Sequence, residues 1–87
     1  MSVRVEFFGL ARKQAGVEFL DVEADDLGTA ILVTGKKLPQ LSEACFNGNR
    51  MRSGFIVNVN GNEFTNDPMR LLNSGDSILI LSADAGG

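Results

Sequence analysis

The sequence lacks several residue types on which common functions depend. It has no histidine, no tryptophan and no tyrosine, and Cys45 is its one cysteine. A single cysteine excludes a disulfide within the chain. Without histidine, the chain also lacks the usual Cys/His zinc ligands and the base of Ser-His-Asp and Cys-His pairs. We therefore expect no bound metal and no intrinsic catalysis, and we interpret Cys45 as a small buried or half-buried side chain.

Positive charge is also scarce, with 8 Lys and Arg against 11 Asp and Glu and a net charge of −3. Nucleic-acid binding needs a surplus of Lys and Arg on one face, and here the basic residues are scattered. No apolar run approaches the length of a membrane span. The opening MSVRVEFFGL alternates charged and apolar residues, unlike a signal peptide. We expect a cytoplasmic protein whose partners are neither nucleic acid nor membrane.

What the sequence does contain is strand and turn patterning within a length that suits one domain, residues 1–87. Apolar and charged residues alternate over residues 3–7, the period of a half-buried strand, and Phe8 breaks the alternation. Asn60-Gly61 is a strong hairpin signal because a type I′ turn needs positive φ at both central residues. The predicted strands are residues 3–8, 17–23, 55–59, 62–65 and 77–82. The segment LARKQAG, residues 10–16, is interpreted as a loop.

A helix is predicted between residues 24 and 41, where apolar residues recur at helical spacing and Pro39 ends the segment. The candidate N-caps are Asp25, Asp26 and Thr29. Gly35 weakens this helix, and a strand over residues 30–34 stays open as an alternative. A short helical turn and then a mobile loop over residues 47–53 are expected to follow.

The resulting order is strand, strand, helix, strand, strand, strand. It predicts an α+β fold of the β-grasp type, with a mixed sheet of four to five strands and one main helix packed on one face. The first and last strands are expected side by side at the centre of the sheet, because both are long and apolar. A flexible Gly-Gly tail, residues 83–87, would follow the last strand.

The last strand is apolar on both faces, since Ile78 and Ile80 alternate with Leu79 and Leu81. One helix covers one face only, so the other face should carry an exposed apolar patch, which usually marks a partner surface. The candidates for this patch are Phe8, Ile56, Leu79 and Leu81. The open alternative is that the segment 40–53 folds over this face and buries it.

Three stretches carry a resemblance to a known family: VRVEFFGLARKQAG at the start, VNVNGNEF in the middle, and LLNSGDSILIL followed by AGG at the end. Together they resemble the small subunit of molybdopterin synthase. More broadly, they resemble the ubiquitin-like sulfur-carrier family, which includes the thiazole-synthesis carrier and the archaeal small modifiers. The most specific part is a Gly-Asp turn, an apolar strand and a terminal Gly-Gly.

The resemblance implies that the chain is a carrier rather than an enzyme, with its chemistry at Gly87. A ubiquitin-activating-type enzyme would adenylate the terminal carboxylate with ATP, and sulfur would replace AMP to give a thiocarboxylate. The large subunit of molybdopterin synthase, or another sulfur acceptor, would then receive the tail. Gly86 would keep the penultimate position slim, and Ala85 would join the docking patch as a partner contact. No permanently bound cofactor is implied.

The tail departs from the family pattern because SADAGG has no proline and carries Asp84 near its end. Proline would stiffen a tail, so its absence predicts a more mobile one. The alternatives therefore stay open. The chain could be a modifier conjugated to lysines through Gly87, or a sulfur carrier for thiazole synthesis or tRNA thiolation. It could also be a plain β-grasp interaction domain in which the two glycines are incidental.

Overall fold

The computed structural model describes residues 2–86, and for residues 85 and 86 it describes the backbone alone. Its strands are β1 (Ser2–Phe7), β2 (Phe19–Glu23), β3 (Phe46–Asn47), β4 (Arg50–Met51), β5 (Phe55–Val59), β6 (Glu63–Thr65) and β7 (Ser77–Ser82). Its helices are α1 (Leu10–Ala15), α2 (Leu27–Lys37), α3 (Pro39–Cys45) and α4 (Ala83–Gly86). None of the helices within residues 2–86 is long and apolar enough to cross a membrane.

Five strands form one mixed sheet in the order β2-β1-β7-β5-β6. Strand β7 runs parallel to β1 on one side and antiparallel to β5 on the other. The other pairs, β1 with β2 and β5 with β6, are antiparallel. The first and last strands therefore lie side by side, as the sequence predicted, and β7 occupies the middle of the sheet.

One face of the sheet carries the hydrophobic core. Val5 lies opposite Ile78, and Val57 lies opposite Ile80, so alternate residues of three strands point to the same side. These side chains are fully buried, and they share one cluster with buried residues of α1, α2 and α3. All three helices thus cover the same face, in place of the single helix expected. The helical contribution to the cluster is Ala11, Ala15, Leu27, Ala30, Ile31, Leu41 and Cys45.

Helix α2 is the predicted main helix, so the alternative strand over residues 30–34 is wrong. Its N-cap is Asp26, whose Oδ1 accepts the backbone N–H of Thr29 at 2.8 Å. Gly35 is explained by the close approach of the next helix. A Cβ built at Gly35 would lie 3.0 Å from Ser42 Oγ and 3.3 Å from the Phe46 ring. Glycine lowers the helix propensity at this position, but its missing side chain allows α3 to pack closely against α2.

In three segments the secondary structure differs from that predicted from the sequence. Residues 10–15 form the helix α1 rather than a loop. Pro39 does end the preceding helix, but it also opens α3, where its fixed φ and missing N–H suit the first turn. Residues 46–51 pair as a two-stranded hairpin, β3 with β4, where a mobile loop was expected.

Candidate functional site

The C-terminal tail leaves the sheet from its central strand. The backbone N–H of Ala83 donates to the Gly54 carbonyl at 2.8 Å, and residues Ala83–Gly86 then form a single helical turn. Gly87 lies outside the described residues, as does the side chain of Ala85. The roles predicted for Ala85, Gly86 and Gly87, and the predicted flexibility of the tail, therefore stay predictions.

The start of β7 is fixed by the turn at Gly75 and Asp76. The Asp76 carboxylate accepts the backbone N–H of Asn73 at 2.8 Å and the side-chain amide of Asn60 at 3.1 Å. Asn60 in turn accepts the Ser77 N–H at 2.9 Å. These bonds, the one from the Asn73 backbone first and that from Asn60 second, lower the pKa of Asp76. The turn therefore ties the start of β7 to the β5–β6 connection.

The hairpin signal that supplies Asn60 is confirmed. Asn60 and Gly61 both have positive φ, 55° and 77°, and the Asn62 N–H donates to the Val59 carbonyl at 3.1 Å. Both central residues of the turn thus adopt the conformation that its type requires. The turn places Asn60 within reach of Asp76, so a local sequence signal helps to position the distant last strand.

The face of the sheet opposite the helices is called the open face here. It is formed by the strand residues whose parity is opposite to that of Val5, Val57 and Ile78. The segment 40–53 does not cover it, because Leu41 and Phe46 are buried in the helix-side cluster. The alternative in which that segment buries the open face is therefore wrong.

The predicted apolar patch, which comprises Phe8, Ile56, Leu79 and Leu81, lies on the open face and at its rim. The Phe8 side chain is 54% exposed, and Ile56 and Leu79 are partly buried. Leu81 is only 6% exposed, although it lies outside the helix-side cluster and opposite Ile56. As a residue of the central strand it has neighbours on both sides. Leu81 thus supports the patch rather than presenting a free surface.

The open face also holds two aromatic side chains that the sequence analysis missed, Phe19 and Phe64, which are 43% and 53% exposed. The registers of the four neighbouring strand pairs place these two rings in one line across the sheet. That line, called the cross-strand row below, runs Phe19, Glu6, Leu79, Asn58, Phe64. The signal that could have found the two rings is strand parity, but parity selects a face only once the register with β1 and β5 is known.

The polar members of the cross-strand row have no partners within the described part of the chain. Asn58 is 8% exposed, and its Oδ1 is buried without a hydrogen bond. Glu6 is half-buried and makes no ion pair or hydrogen bond with any side chain that the structure describes. The neighbouring Arg4, by contrast, pairs with Asp21 at 3.2 Å and stacks 4.0 Å over the Phe19 ring.

Cys45 lies in the core and takes no part in this surface. It is fully buried in the helix-side cluster, and burial raises the pKa of its thiol. A thiol held in its neutral form is a poor nucleophile, which agrees with its interpretation as a packing residue. Within residues 2–86, no group of three or more Cys, Asp and Glu side chains is placed to hold a metal ion.

Comparison with known proteins gives a likeness at the level of the fold. No protein-family model matches the chain, and neither does any curated protein sequence. Among solved structures, SAMP1 of Haloferax volcanii matches with a TM-score of 0.84 at 20% identity, covering 100% of both chains. A chain of the BexX/CysO complex of Amycolatopsis orientalis gives 0.78 at 19% identity, covering 98% of this chain and 99% of that one. The putative molybdopterin converting factor subunit 1 of Pyrococcus furiosus gives 0.76 at 20% identity, covering 94% and 97%.

This chain has the β-grasp fold. The solved structures it matches are ubiquitin-like sulfur-carrier proteins, so the resemblance inferred from the sequence is confirmed in the fold. On this β-grasp domain the tail follows the central strand β7. Two residues of β7, Leu79 and Leu81, belong to the apolar patch. Leu79 also lies at the centre of the cross-strand row. A surface and a chain end are thus connected through one strand, β7.

Proposed function

We propose that the chain is a sulfur carrier whose reacting group is the carboxylate of Gly87. The observation that supports this most directly is the whole-length match to SAMP1, combined with a Gly-Gly pair that follows the central strand. Neither glycine has a Cβ, so a narrow channel in a partner enzyme can enclose the backbone and reach the carbonyl. Six residues from Ser82 onward extend at most about 20 Å, which is enough to enter a deep site while the domain stays outside.

The chemistry needs activation because a carboxylate is a poor electrophile. One Gly87 carboxylate oxygen attacks the α-phosphorus of ATP, and pyrophosphate leaves. Hydrosulfide, or its equivalent delivered by a sulfur donor, then attacks the acyl carbon of the adenylate, AMP leaves, and the thiocarboxylate forms with loss of the sulfur-bound proton. The adenylating enzyme supplies ATP binding and catalysis, and the carrier supplies the carboxylate and a surface to dock.

The acceptor that we propose first is the large subunit of molybdopterin synthase, which would draw sulfur from the tail for molybdenum cofactor synthesis. It is supported by the fold match to a protein described as molybdopterin converting factor subunit 1. The BexX/CysO match is to a structure of a complex, and this supports docking of the folded domain on another protein. The apolar patch, with Phe8 at its rim, is the surface proposed for that docking.

The test is the intact mass of the protein purified from its own cells. We expect a fraction whose mass matches the chain ending at Gly87 with one terminal oxygen replaced by sulfur. Deleting Gly87 should remove that fraction and also abolish ATP-dependent pyrophosphate release with the adenylating enzyme. A plain carboxylate on every molecule, in cells that contain an active adenylating enzyme, would contradict the proposal.

A second candidate, a protein modifier, is favoured by the match to SAMP1, the small archaeal modifier protein 1. Here a lysine amine of another protein attacks the same acyl adenylate, AMP leaves, and an isopeptide bond to Gly87 forms. Digestion of cell extracts and mass analysis of lysine peptides test this. Remnants of the Ala85-Gly86-Gly87 end on lysines would support conjugation. If no such remnants are found while the thiocarboxylate is abundant, only the sulfur-carrier function remains supported.

A further inference from the structure

The loop between β6 and β7 presents two large apolar side chains to solvent, Met69 and Leu71, which are 77% and 71% exposed. Its backbone is nonetheless fixed on the start of α2. Two backbone N–H groups in the first turn of α2 donate to the carbonyls of Pro68 and Arg70, both at 2.9 Å. The Arg70 side chain is itself held by two bonds to Glu63, at 2.9 and 3.0 Å. The loop is therefore held in a conformation that keeps both apolar side chains exposed.

A groove of about 230 Å³ adjoins Met69, between this loop, α2 and the β3–β4 hairpin. The loop can approach α2 this closely only at a glycine, because a Cβ built at Gly28 would lie 3.0 Å from the Pro68 side chain. Leu71 lies at the rim, where its backbone pairs with that of a groove residue. The surface formed by the groove and its protruding side chain is called the Met69 surface and comprises Asp26, Gly28, Leu32, Arg50 and Met69.

The Met69 surface also carries one charge of each sign, and the two do not pair with each other. Arg50 is exposed, and it makes no ion pair or hydrogen bond with any side chain that the structure describes. Asp26 accepts the Thr29 N–H through Oδ1, and its Oδ2 has no partner among the described residues. An acidic partner would neutralise Arg50 but repel Asp26, and a basic partner would do the reverse. The chemistry that suits both is a partner with charges of both signs.

We propose that the Met69 surface is a self-association site, through which two copies of this chain form a two-fold dimer. Met69 of each copy enters the groove of the other and contacts Leu32 there, and Arg50 of each copy pairs with Asp26 of the other. Because a two-fold axis makes every contact occur twice, one protruding side chain, one groove and one charge of each sign are sufficient for a closed pair. This inference goes beyond the proposed function and does not depend on it.

The position of the Met69 surface leaves the tail accessible in such a dimer. Helix α2 starts directly after β2, at the end of the sheet where β1 and β7 begin. The tail follows the opposite end of β7, which is six residues long. Six strand residues span about 20 Å, so the contact and the tail are separated by the length of the sheet. The open face stays free as well, because the groove is built on a helix that covers the other face.

The size of the contact sets the expected strength of the dimer. A standard interface buries about 800 Å² on each partner, and one groove with its neighbouring side chains offers less than this. We therefore expect a weak, concentration-dependent dimer with a dissociation constant on the order of 100 µM. Sedimentation equilibrium of the full-length chain, at concentrations up to about 1 mM, measures that constant. Amide NMR spectra over the same dilution series locate the contact by the residues whose signals shift.

Three variants test the contact, and each alters an exposed side chain, so the core stays intact: Met69→Ser, Leu32→Ser and Arg50→Glu. Two controls make the same changes elsewhere. Phe8→Ser alters an exposed apolar residue at the rim of the open face, and Lys13→Glu alters an exposed basic residue of α1. We expect each test variant to raise the dissociation constant by at least about tenfold, and each control to stay within about twofold of the parent. Thermal unfolding of every variant is recorded alongside.

The outcomes separate self-association at this surface from the alternatives. A parent chain that stays monomeric at about 1 mM overturns the proposal. A dimer weakened by Phe8→Ser but not by Met69→Ser would form through the open face, which also overturns it. Amide shifts on dilution that concentrate in residues 26–32, 49–50 and 67–71, together with dimers weakened by the three test variants alone, support it. None of these readouts involves Gly87, so the proposed function can fail while this inference holds, and the reverse.

Discussion

At the scale of single residues, Asp76 is the side chain on which the position of the last strand depends most clearly. It joins the Asn73 backbone and the Asn60 side chain, each through one carboxylate oxygen. Replacing it by alanine removes both acceptors. We expect Asp76→Ala to lower the free energy of unfolding by about 1 kcal/mol at pH 7, a figure reduced from that of two buried bonds because the site is partly solvated. Urea unfolding measures it.

The effect of Asp76→Ala should depend on pH. The folded state lowers the pKa of Asp76, so its stabilisation is complete above the ordinary carboxyl pKa of about 4 and is lost as the pH falls through the lower, folded value. The difference between parent and variant should therefore shrink when unfolding is repeated at progressively more acidic pH. Asp25→Ala serves as the control, since its exposed side chain makes no hydrogen bond with the described residues. A difference that persists at low pH would contradict this account.

At the scale of elements, the N-terminus of α2 depends on one cap. Asp26 accepts the Thr29 N–H, and the sequence alone could not choose among Asp25, Asp26 and Thr29. We expect Asp26→Ala to reduce the midpoint of urea unfolding, corresponding to a loss of about 1 kcal/mol. Asp26→Asn keeps an acceptor oxygen and should lose only a few tenths of that. Equal losses in the two variants would mean that the charge, rather than the hydrogen bond, stabilises the helix.

Elements with a strong local pattern were predictable from the sequence. Strand β7 is apolar on both faces, the Asn60-Gly61 turn needs its two residue types, and α2 has both a cap and apolar periodicity. Helix α1 carried a local signal that the loop interpretation overlooked. All six of its residues are strong helix formers, and Gly16 ends it in the left-handed conformation of a C-cap. What it lacks is a wide apolar face, because only Ala11 and Ala15 are buried.

The surface was less predictable than the core, because membership of the open face depends on strand register. Ile56 and Leu79 were placed on it by alternation alone, and the structure agrees. Phe19 and Phe64 could not be placed, since β2 and β6 are edge strands whose register with β1 and β5 the sequence does not give. The exposure of Leu81 was overestimated for the opposite reason: strand parity gives its face but not how closely its neighbours cover it.

At the scale of the whole molecule, docking and chemistry occupy different parts of the chain. The folded domain, residues 2–82, carries the apolar patch and the cross-strand row, and the tail carries the reacting group in the function proposed. Ordering a tail inside a partner costs conformational entropy, so the body has to supply most of the binding free energy. The length of chain between β7 and Gly87 then decides whether a docked body can deliver its carboxylate to the enzyme.

That division predicts a variant that binds but does not react. Deleting residues 84–85 keeps Gly86 and Gly87 but shortens the reach of the tail by about 7 Å. Binding to the adenylating enzyme should stay within about twofold of the parent if the body supplies the affinity. Adenylation should fall by a factor of at least about 100, because displacing a reacting atom by even 1 Å can slow the reaction about a hundredfold.

Replacing residues 84–85 by two serines keeps the length of the tail and should retain activity. If the deletion weakened Kd as much as kcat, the tail would be part of the docking surface, and body and tail would not act separately.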